Sequence, residues 1–514
     1  MDPTKIEKLR VFAQSDDREW TPFFAGRDEE ISNVEAACRR AATGEFLEHS
    51  HWTGLKGVTR VIQGAPGAGK SSLFQHLVHI WIKRAGAKKP TPVPVDIPIH
   101  AFKGPEMLAQ AIGSGLPVSL FDKAKGLLEA VNGMSVMGTG LSFERSSLSS
   151  PGNLQFPRTR AVVLMIDEAQ NLDLSSPFTP PAELLLWLHQ GNHGLPLVPV
   201  LAGLANLEGR LARAGISRLS NDAVLTLGCL SRDESCRSAS LFFDFFGIPH
   251  SDSRNDWTEI LYDLSEGWPV HLHHGFRALS GSLADANLRL EAVDGGAFRR
   301  EEARLRAAYY DARTDLLPIQ LIARALERVG ASGTRNQYTD AIDAEHDSRR
   351  GGRDFRIPDG MDAEGLFETM VGKGLLQRVK HKRYCATVPS LRSYIAAHSG
   401  SVLHPLSLEG DVSGIKSALA EGEDPNIVDI RGRTPLHIAT ECGWTEIAET
   451  LLGAGANAEA VDRKGRRAWE LLPRHATMKL KKILMPMNVP DYSLFPRDQD
   501  SLKPKNGDEP SFDM

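Results

Sequence analysis

The chain has 514 residues and a formal net charge of −5 at pH 7. That length predicts roughly three or four domains, because one domain usually has about 100 to 200 residues. The slightly acidic balance excludes a chain coated with basic residues, so any contact with nucleic acid must come from a local patch.

Cysteine spacing and apolar patterning bear on the cell compartment. The sequence has no run of about 18 apolar residues and no N-terminal signal pattern. Its five cysteines lack the paired spacing of a metal site. We therefore expect a cytoplasmic protein with reduced thiols and no membrane contact. The cysteines are Cys38, Cys229, Cys236, Cys385 and Cys442.

A glycine-rich loop lies between a predicted strand, 58–62, and a predicted helix, and it matches the P-loop pattern completely. Glycines let consecutive backbone N–H groups turn toward phosphate oxygens. Lys70 is expected to reach the β and γ phosphates, and the Ser71 hydroxyl to ligate Mg²⁺. The sequence therefore predicts binding of a nucleoside triphosphate. The predicted phosphate site consists of Gly64, Ala65, Pro66, Gly67, Ala68, Gly69, Lys70, Ser71 and Ser72.

An acidic pair follows a second strand, predicted over 161–166 and apolar on both faces, as in a central parallel strand. Asp167 and Glu168 come directly after it, which is the Walker B arrangement. In that arrangement the aspartate holds Mg²⁺ through water and the glutamate polarises the attacking water. Strands and helices alternate around these motifs, which predicts an α/β sheet.

Three segments together resemble the AAA+ and STAND ATPases, in particular the origin-recognition-like and transposition-regulator-like branches. They are the block Phe24–Glu30, the Asp167-Glu168 pair and Gly267-Trp268-Pro269, and the resemblance covers about residues 20 to 400. It implies ATP and Mg²⁺ as ligands, with Arg27 and Pro269 as adenine-side contacts. A helix-start charge at Arg27 and a helix-breaking turn at Pro269 are the alternative interpretations.

The same resemblance implies two further positions near the γ-phosphate. An arginine finger from a neighbouring subunit would correspond to Arg218, while Arg210 and Arg213 compete for the role and a solvated arginine is the alternative. The fourth strand should end in a polar sensor, but Leu204 stands after its glycine. Because leucine cannot orient water, we expect slow hydrolysis.

The region from Asp315 to Ile395 is similar to a winged helix, with a helix ending at Gly374 and a two-stranded hairpin after it. The hairpin turn is cationic, and basic residues precede it. It could clamp the nucleotide within the chain, as in STAND switches, or contact double-stranded DNA. The basic residues are Arg349, Arg350, Arg353, Lys380, Lys382 and Arg383.

A repeat of 33 residues, the length of an ankyrin repeat, recurs near the C-terminus. Thr434-Pro435-Leu436-His437-Ile438-Ala439 is the ankyrin signature, and His404 aligns with His437 at that offset. Roughly three repeats fit between 401 and 485, the third degenerate. Both histidines are expected to be structural and not catalytic.

These patterns predict an α/β P-loop ATPase core of the AAA+ type, followed by a helical lid, a winged helix and a short ankyrin array. The favoured function is a slow ATP-hydrolysing switch whose repeats sense or dock a protein partner. A DNA-associated loader or transposition-type ATPase is one alternative, and a nucleotide-binding scaffold with little turnover is another. A homo-oligomer is compatible with the arginine finger. The predicted segments are an N-terminal helix (1–20), core (21–230), lid (231–310), winged helix (311–398), ankyrin repeats (401–485) and disordered tail (486–514).

Overall fold

The computed structural model divides into two compact units, Met1–Gly400 and Ser401–Met514. Within the described part of the chain, no helix is long and apolar enough to cross a membrane. The structure describes residues 3–15, 22–43, 59–84, 91–116, 135–137, 140–142, 161–190, 197–216, 219, 222–348, 356–379, 382–473 and 476–484.

A parallel sheet forms the centre of the first unit. Its strands within the described residues are β1 (Arg60–Gln63), β2 (Val93–Asp96), β5 (Val162–Ile166), β6 (Leu197–Gly203) and β7 (Val224–Thr226), while β3 (Ser135–Met137) and β4 (Gly140–Ser142) form a separate antiparallel pair. The order across the sheet is β2–β5–β6–β1–β7. All residues of β1, β5 and β6 are buried, as expected for parallel strands covered on both faces. The predicted α/β fold is confirmed.

Helices cover this sheet because their apolar residues recur at helical spacing. In the helix after the P-loop, Leu73, Phe74, Leu77 and Trp81 are buried. The helix that begins at Pro105 ends at Gly115, because the backbone turns extended at Leu116. The helices here are α1 (Pro3–Gln14), α2 (Asp28–Thr43), α3 (Lys70–Arg84), α4 (Pro105–Gly115), α5 (Pro180–Gln190) and α6 (Leu207–Arg213).

A helical lid follows the sheet and has its own aromatic core. Phe242 and Phe276 stack there with ring centroids 4.8 Å apart. Leu9 is fully buried in the same core, so the N-terminal helix α1 packs with the lid. Phe12 of α1 also meets Phe23 edge to face at 5.5 Å. The lid helices are α7 (Arg232–Phe246), α8 (Asp252–Ser265), α9 (Pro269–Asp285) and α10 (Gly295–Thr314).

The last part of the first unit combines helices with a small antiparallel sheet. The helix and hairpin expected around Gly374 are both present, with Gly374 in a left-handed turn (φ 77°) between them. Among the described residues the strands lie in the order β8–β10–β9, where β8 is Gly333–Thr334, β9 is Leu376–Val379 and β10 is Arg383–Ala386. The helices are α11 (Ile319–Val329), α12 (Arg335–Ser348), α13 (Ala363–Gly372) and α14 (Pro389–Ala397).

The second unit is an array of ankyrin repeats. His404 Nε2 donates a hydrogen bond to the Arg433 carbonyl at 3.0 Å, and His437 Nε2 donates to the Arg466 carbonyl at 3.1 Å. These equivalent bonds tie each repeat to the next loop, so the structural role expected for both histidines is confirmed. The third repeat begins with a short 3-10 turn, Ala468–Leu471. The helices are α15 (Leu403–Glu409), α16 (Val412–Ala420), α17 (Pro435–Cys442), α18 (Thr445–Gly453) and α19 (Met478–Leu484).

Candidate nucleotide site

The P-loop turns directly from the end of β1 into the start of α3. Gly67 and Gly69 have φ values of 86° and 87°, a left-handed conformation that side chains rarely adopt. A Cβ on Gly67 would also lie 2.7 Å from Val270 Cγ1 and 2.9 Å from the Tyr309 hydroxyl. Glycine at position 67 is therefore required by both backbone conformation and space.

Lys70 and Ser71 open helix α3 and point toward the Walker B acids. The Lys70 amine donates hydrogen bonds to the carbonyls of Gly64 at 3.0 Å and Ala65 at 3.1 Å. Burial lowers the pKa of Lys70, and the nearby Glu168 and Asp167 carboxylates oppose that shift. A phosphate group beside this amine would favour its charged form.

Asp167 and Glu168 follow β5, the strand next to β6 in the sheet. Asp167 Oδ2 accepts a hydrogen bond from Ser71 Oγ at 2.6 Å, so the P-loop and Walker B motifs meet. Asp167 Oδ1 accepts from the Glu168 backbone N–H at 2.8 Å. Glu168 itself has a left-handed backbone (φ 51°), which is uncommon for a residue with a Cβ.

These residues fit a magnesium–nucleotide complex. A hydroxyl and a carboxylate oxygen at one point match the hard oxygen ligands that Mg²⁺ prefers. Across the described ranges, no group of three or more His, Cys, Asp or Glu side chains is arranged to hold a metal. A site with few protein ligands suits Mg²⁺, which usually retains waters and takes phosphate oxygens.

The lid contacts the outer side of the P-loop through α9 and α10. The Val270 N–H donates to the Gly67 carbonyl at 3.2 Å, and the Tyr309 hydroxyl donates to the Pro66 carbonyl at 2.6 Å. Trp268 Nε1 in turn donates to the Tyr309 oxygen at 3.0 Å. Lid residues far along the chain therefore bond directly to the loop backbone.

Pro269 and Arg27, the two residues expected on the adenine side, both lie beside the P-loop. A Cβ on Gly69 would be 3.6 Å from Pro269 Cβ. The Arg27 guanidinium is buried and donates to the Ala68 carbonyl at 3.3 Å, with Glu30 at 3.5 Å. Burial lowers the pKa of Arg27, while Glu30 and Glu234 raise it. Arg27 therefore forms a hydrogen bond with the backbone of the P-loop.

A cavity of about 670 Å³ opens next to Arg27. Its aromatic wall is formed by Phe24 and His76, whose rings stack with centroids 4.2 Å apart and planes 24° apart. Gly26, Cys236 and Leu241 also line it. Its size is within the range of small-molecule pockets.

The structure bears differently on the two positions expected near the γ-phosphate, the arginine finger and the sensor at Leu204. Arg218 lies outside the described residues, so its role stays a prediction. Its competitor Arg210 donates to the Gln170 and Leu172 carbonyls of its own chain, the latter at 2.9 Å, whereas Arg213 is exposed. Leu204 offers its backbone N–H, which donates to Gln170 Oε1 at 3.2 Å.

The hairpin region also reaches the nucleotide-binding core. Gly374 packs so closely on Pro66 that no Cβ could be accommodated there. On β9, Arg378 forms an ion pair with Glu208 of α6 at 3.1 Å. Arg383, expected in the cationic turn, instead begins β10, and it donates from Nε to the Ser332 hydroxyl at 3.1 Å.

Sequence analysis missed Gln170, Trp268 and Tyr309 as site residues. Gln170 lies two positions after Glu168, and a polar side chain so close to the acidic pair could have indicated a site residue. Trp268 lies inside the Gly267-Trp268-Pro269 motif but was not assigned a contact. Tyr309 has no local signal, because its partner Pro66 is 243 residues away in sequence.

A parallel sheet with a P-loop after one strand and an Asp-Glu pair after another defines an α/β P-loop NTPase fold. A family model, "Ankyrin repeats (3 copies)", matches residues 403–471 in the second unit. This segment is therefore similar to the ankyrin-repeat family.

Three known proteins illustrate what the chain is similar to. Potassium channel KOR1 of Oryza sativa subsp. japonica is 32% identical over 108 residues, which is 21% of this chain but only 13% of the channel. Human protein phosphatase 1 regulatory subunit 27 is 30% identical over 113 residues, 22% of this chain and 70% of that protein. The solved Aeropyrum pernix ORC2 protein is 14% identical with a TM-score of 0.43, covering 75% of this chain and 97% of that chain.

Proposed function

We propose that the first unit binds Mg²⁺-ATP, hydrolyses it slowly to ADP and phosphate, and acts as a nucleotide-dependent switch. The 2.6 Å bond between Ser71 Oγ and Asp167 Oδ2 carries this proposal. It joins, from two distant motifs, the hydroxyl and the carboxylate that a P-loop ATPase uses around Mg²⁺. Lys70 stands beside both and supplies the positive charge for the β and γ phosphates.

In the proposed reaction, Glu168 accepts a proton from the water that attacks the γ-phosphorus. The bond from that phosphorus to the bridging oxygen breaks, and ADP leaves. Mg²⁺, when bound, neutralises charge on the β and γ oxygens. Arg218 of a neighbouring subunit would add further positive charge, which makes a homo-oligomer part of the proposal.

The base would lie on the Arg27 side of the loop. Pro269 beside Gly69, and the cavity walled by Phe24 and His76, support this orientation. The aromatic rings suit a purine ring, which binds by stacking, and Asp28, Asp233 and Arg237 line the same cavity with charged groups that could bond to the base edge. Arg27 would then shape the pocket by holding the Ala68 carbonyl instead of contacting the base edge.

Contacts of the hairpin region favour a clamp within the chain over a DNA reader. Arg378 and Arg383 are engaged with Glu208 and Ser332, so these cations are turned toward protein. Gly374 rests on Pro66, where it would respond to any movement of the P-loop. Arg349, Arg350, Arg353 and Lys380 lie outside the described residues.

The ankyrin unit is proposed to dock a protein partner. Val428 and Val461 occupy equivalent loop positions and are 53% and 52% exposed. Arg463 and Lys464 are exposed beside Val461. A partner segment with apolar and acidic side chains would match this surface.

Phosphate release under saturating Mg²⁺-ATP tests the proposal. We expect slow turnover that falls about a hundredfold or more in Glu168→Gln, with ATP still bound. Glu259→Gln is the matched control, because Glu259 pairs with Arg232 on the lid surface. Bound ATP without turnover in the unmodified chain would instead support a nucleotide-binding scaffold.

A further inference from the structure

Gln170 bridges the catalytic loop and the end of strand β6. It lies in a single 3-10 turn, Ala169–Asn171, directly after Glu168. Its side-chain amide N–H donates to Glu168 Oε2, and its side-chain oxygen accepts the Leu204 N–H at 3.2 Å. Among the described residues, no other side chain hydrogen-bonds to the Glu168 carboxylate.

Gly203 leaves space for the Gln170 side chain, and Arg210 holds the backbone of the turn that carries it. A Cβ on Gly203, the last residue of β6, would lie 2.9 Å from Gln170 Oε1 and 3.4 Å from Gln170 N. The Gln170 side chain therefore occupies space that any larger residue at 203 would fill. Arg210 holds the same turn from α6 by donating to the Gln170 and Leu172 carbonyls.

We infer that Gln170 is a positioning residue for the proposed hydrolysis, holding Glu168 and replacing the polar sensor that Leu204 cannot provide. This inference rests on the proposed function. Glu168 is exposed and has a left-handed backbone, so its side chain gains a defined direction from the Gln170 amide.

Two substitutions separate the two bonds of Gln170. Gln170→Met keeps the length and removes both hydrogen bonds. Gln170→Glu retains an acceptor for the Leu204 N–H but replaces the donor to Glu168 with a negative charge. Asn171→Asp is the matched control, because it adds the same charge one residue further along at an exposed position.

The experiment measures kcat and KM for ATP in the full chain. For Gln170→Met we expect kcat to fall about tenfold to a hundredfold, with KM changed by less than about threefold. In Gln170→Glu kcat should fall by at least as much, because the Glu168 carboxylate loses its donor and is repelled by a like charge. Asn171→Asp should change kcat by less than about twofold. Thermal unfolding of each variant reports separately whether it is folded.

The possible outcomes distinguish this inference from the function on which it rests. If the unmodified chain turns over and both Gln170 variants keep its kcat, the positioning role is wrong and the proposed ATPase stands. A folded, ATP-binding unmodified chain without turnover would overturn both. An equal fall of kcat in Asn171→Asp and Gln170→Glu would assign the effect to charge alone and overturn the role of the hydrogen bond.

Discussion

The Tyr309 hydroxyl donates a 2.6 Å hydrogen bond to the Pro66 carbonyl and thereby joins the lid to the phosphate-binding loop. Trp268 Nε1 donates to the same hydroxyl, and the Arg313 guanidinium lies 3.3 Å from the centre of the Tyr309 ring. Tyr309 thus contacts Trp268 and Arg313 of the lid as well as the Pro66 carbonyl of the loop. Movement of the P-loop on nucleotide binding would be transmitted to α10 through this side chain.

Replacing Tyr309 with phenylalanine removes that hydroxyl and keeps the ring. One hydrogen bond contributes about 0.5 to 1.5 kcal/mol, so the ATP dissociation rate should rise roughly two- to tenfold. Tyr310→Phe is a suitable control, since the Tyr310 hydroxyl bonds to Ser390 instead. Stopped-flow release of a fluorescent ATP analogue measures both. Equal dissociation rates in the Tyr309 variant and the unmodified chain would mean that the lid contact does not affect nucleotide binding.

The ion pair between Arg378 and Glu208 predicts an effect of charge reversal. Arg378→Glu places two like charges opposite each other and should loosen the proposed clamp. Because both side chains are about one third exposed or more, we expect ATP turnover to rise only about two- to fivefold at low salt, less at high salt.

Adding Glu208→Arg to that variant restores opposite charges and should return turnover toward the original rate. Titration with duplex DNA over a range of salt tests the rival interpretation. Strongly salt-dependent duplex binding that is lost in Arg378→Glu would favour DNA contact over the clamp.

Local motifs could be predicted from the sequence, whereas contacts between distant segments could not. The P-loop and the ankyrin signature have fixed spacing, because each residue serves a turn or ligand within one short segment. The Leu204–Gln170 bond spans 34 positions and the Tyr309–Pro66 bond spans 243. Such pairs depend on the order of strands and the packing of the lid, which no local pattern records. The sequence alone therefore indicates a missing sensor at Leu204, although Gln170 occupies the space beside Gly203.

Buried His271 predicts acid sensitivity of the first unit. It is 1% exposed, neither ring nitrogen has a hydrogen-bond partner among the described residues, and burial holds its pKa well below 6.5, with Arg306 nearby. The unfolded chain therefore binds the extra proton first as pH falls. The free energy of unfolding should decrease by up to about 2 kcal/mol from this histidine between pH 7 and 5.

Denaturant unfolding of His271→Leu at both pH values checks that sign. The variant should lose less stability on acidification than the unmodified chain. His250→Leu is the control, because His250 is exposed. The same loss of stability in His271→Leu and the unmodified chain would show that His271 does not contribute to acid sensitivity.

Truncation after Gly400 separates the two compact units. Ankyrin repeats contact mainly their neighbours in series, so their removal should leave the first unit folded and able to bind ATP. If the repeats stabilise an inhibited form, turnover should rise in the truncated chain. Unchanged turnover would mean that the repeats do not regulate hydrolysis and serve only for docking. Loss of ATP binding would show that the first unit needs the second to fold or to bind nucleotide.

Calorimetric titration of Mg²⁺-ATP into the unmodified chain and Lys70→Ala tests the nucleotide site most directly. Lys83→Ala, near the exposed end of the same helix, controls for loss of one positive charge. We expect binding by the unmodified chain and by Lys83→Ala, and a loss of about a hundredfold or more in affinity for folded Lys70→Ala, because the phosphates lose their charge-assisted hydrogen bonds. Equal affinity in all three proteins, or no binding by any of them, would contradict the assignment of residues 64–72 as an ATP site.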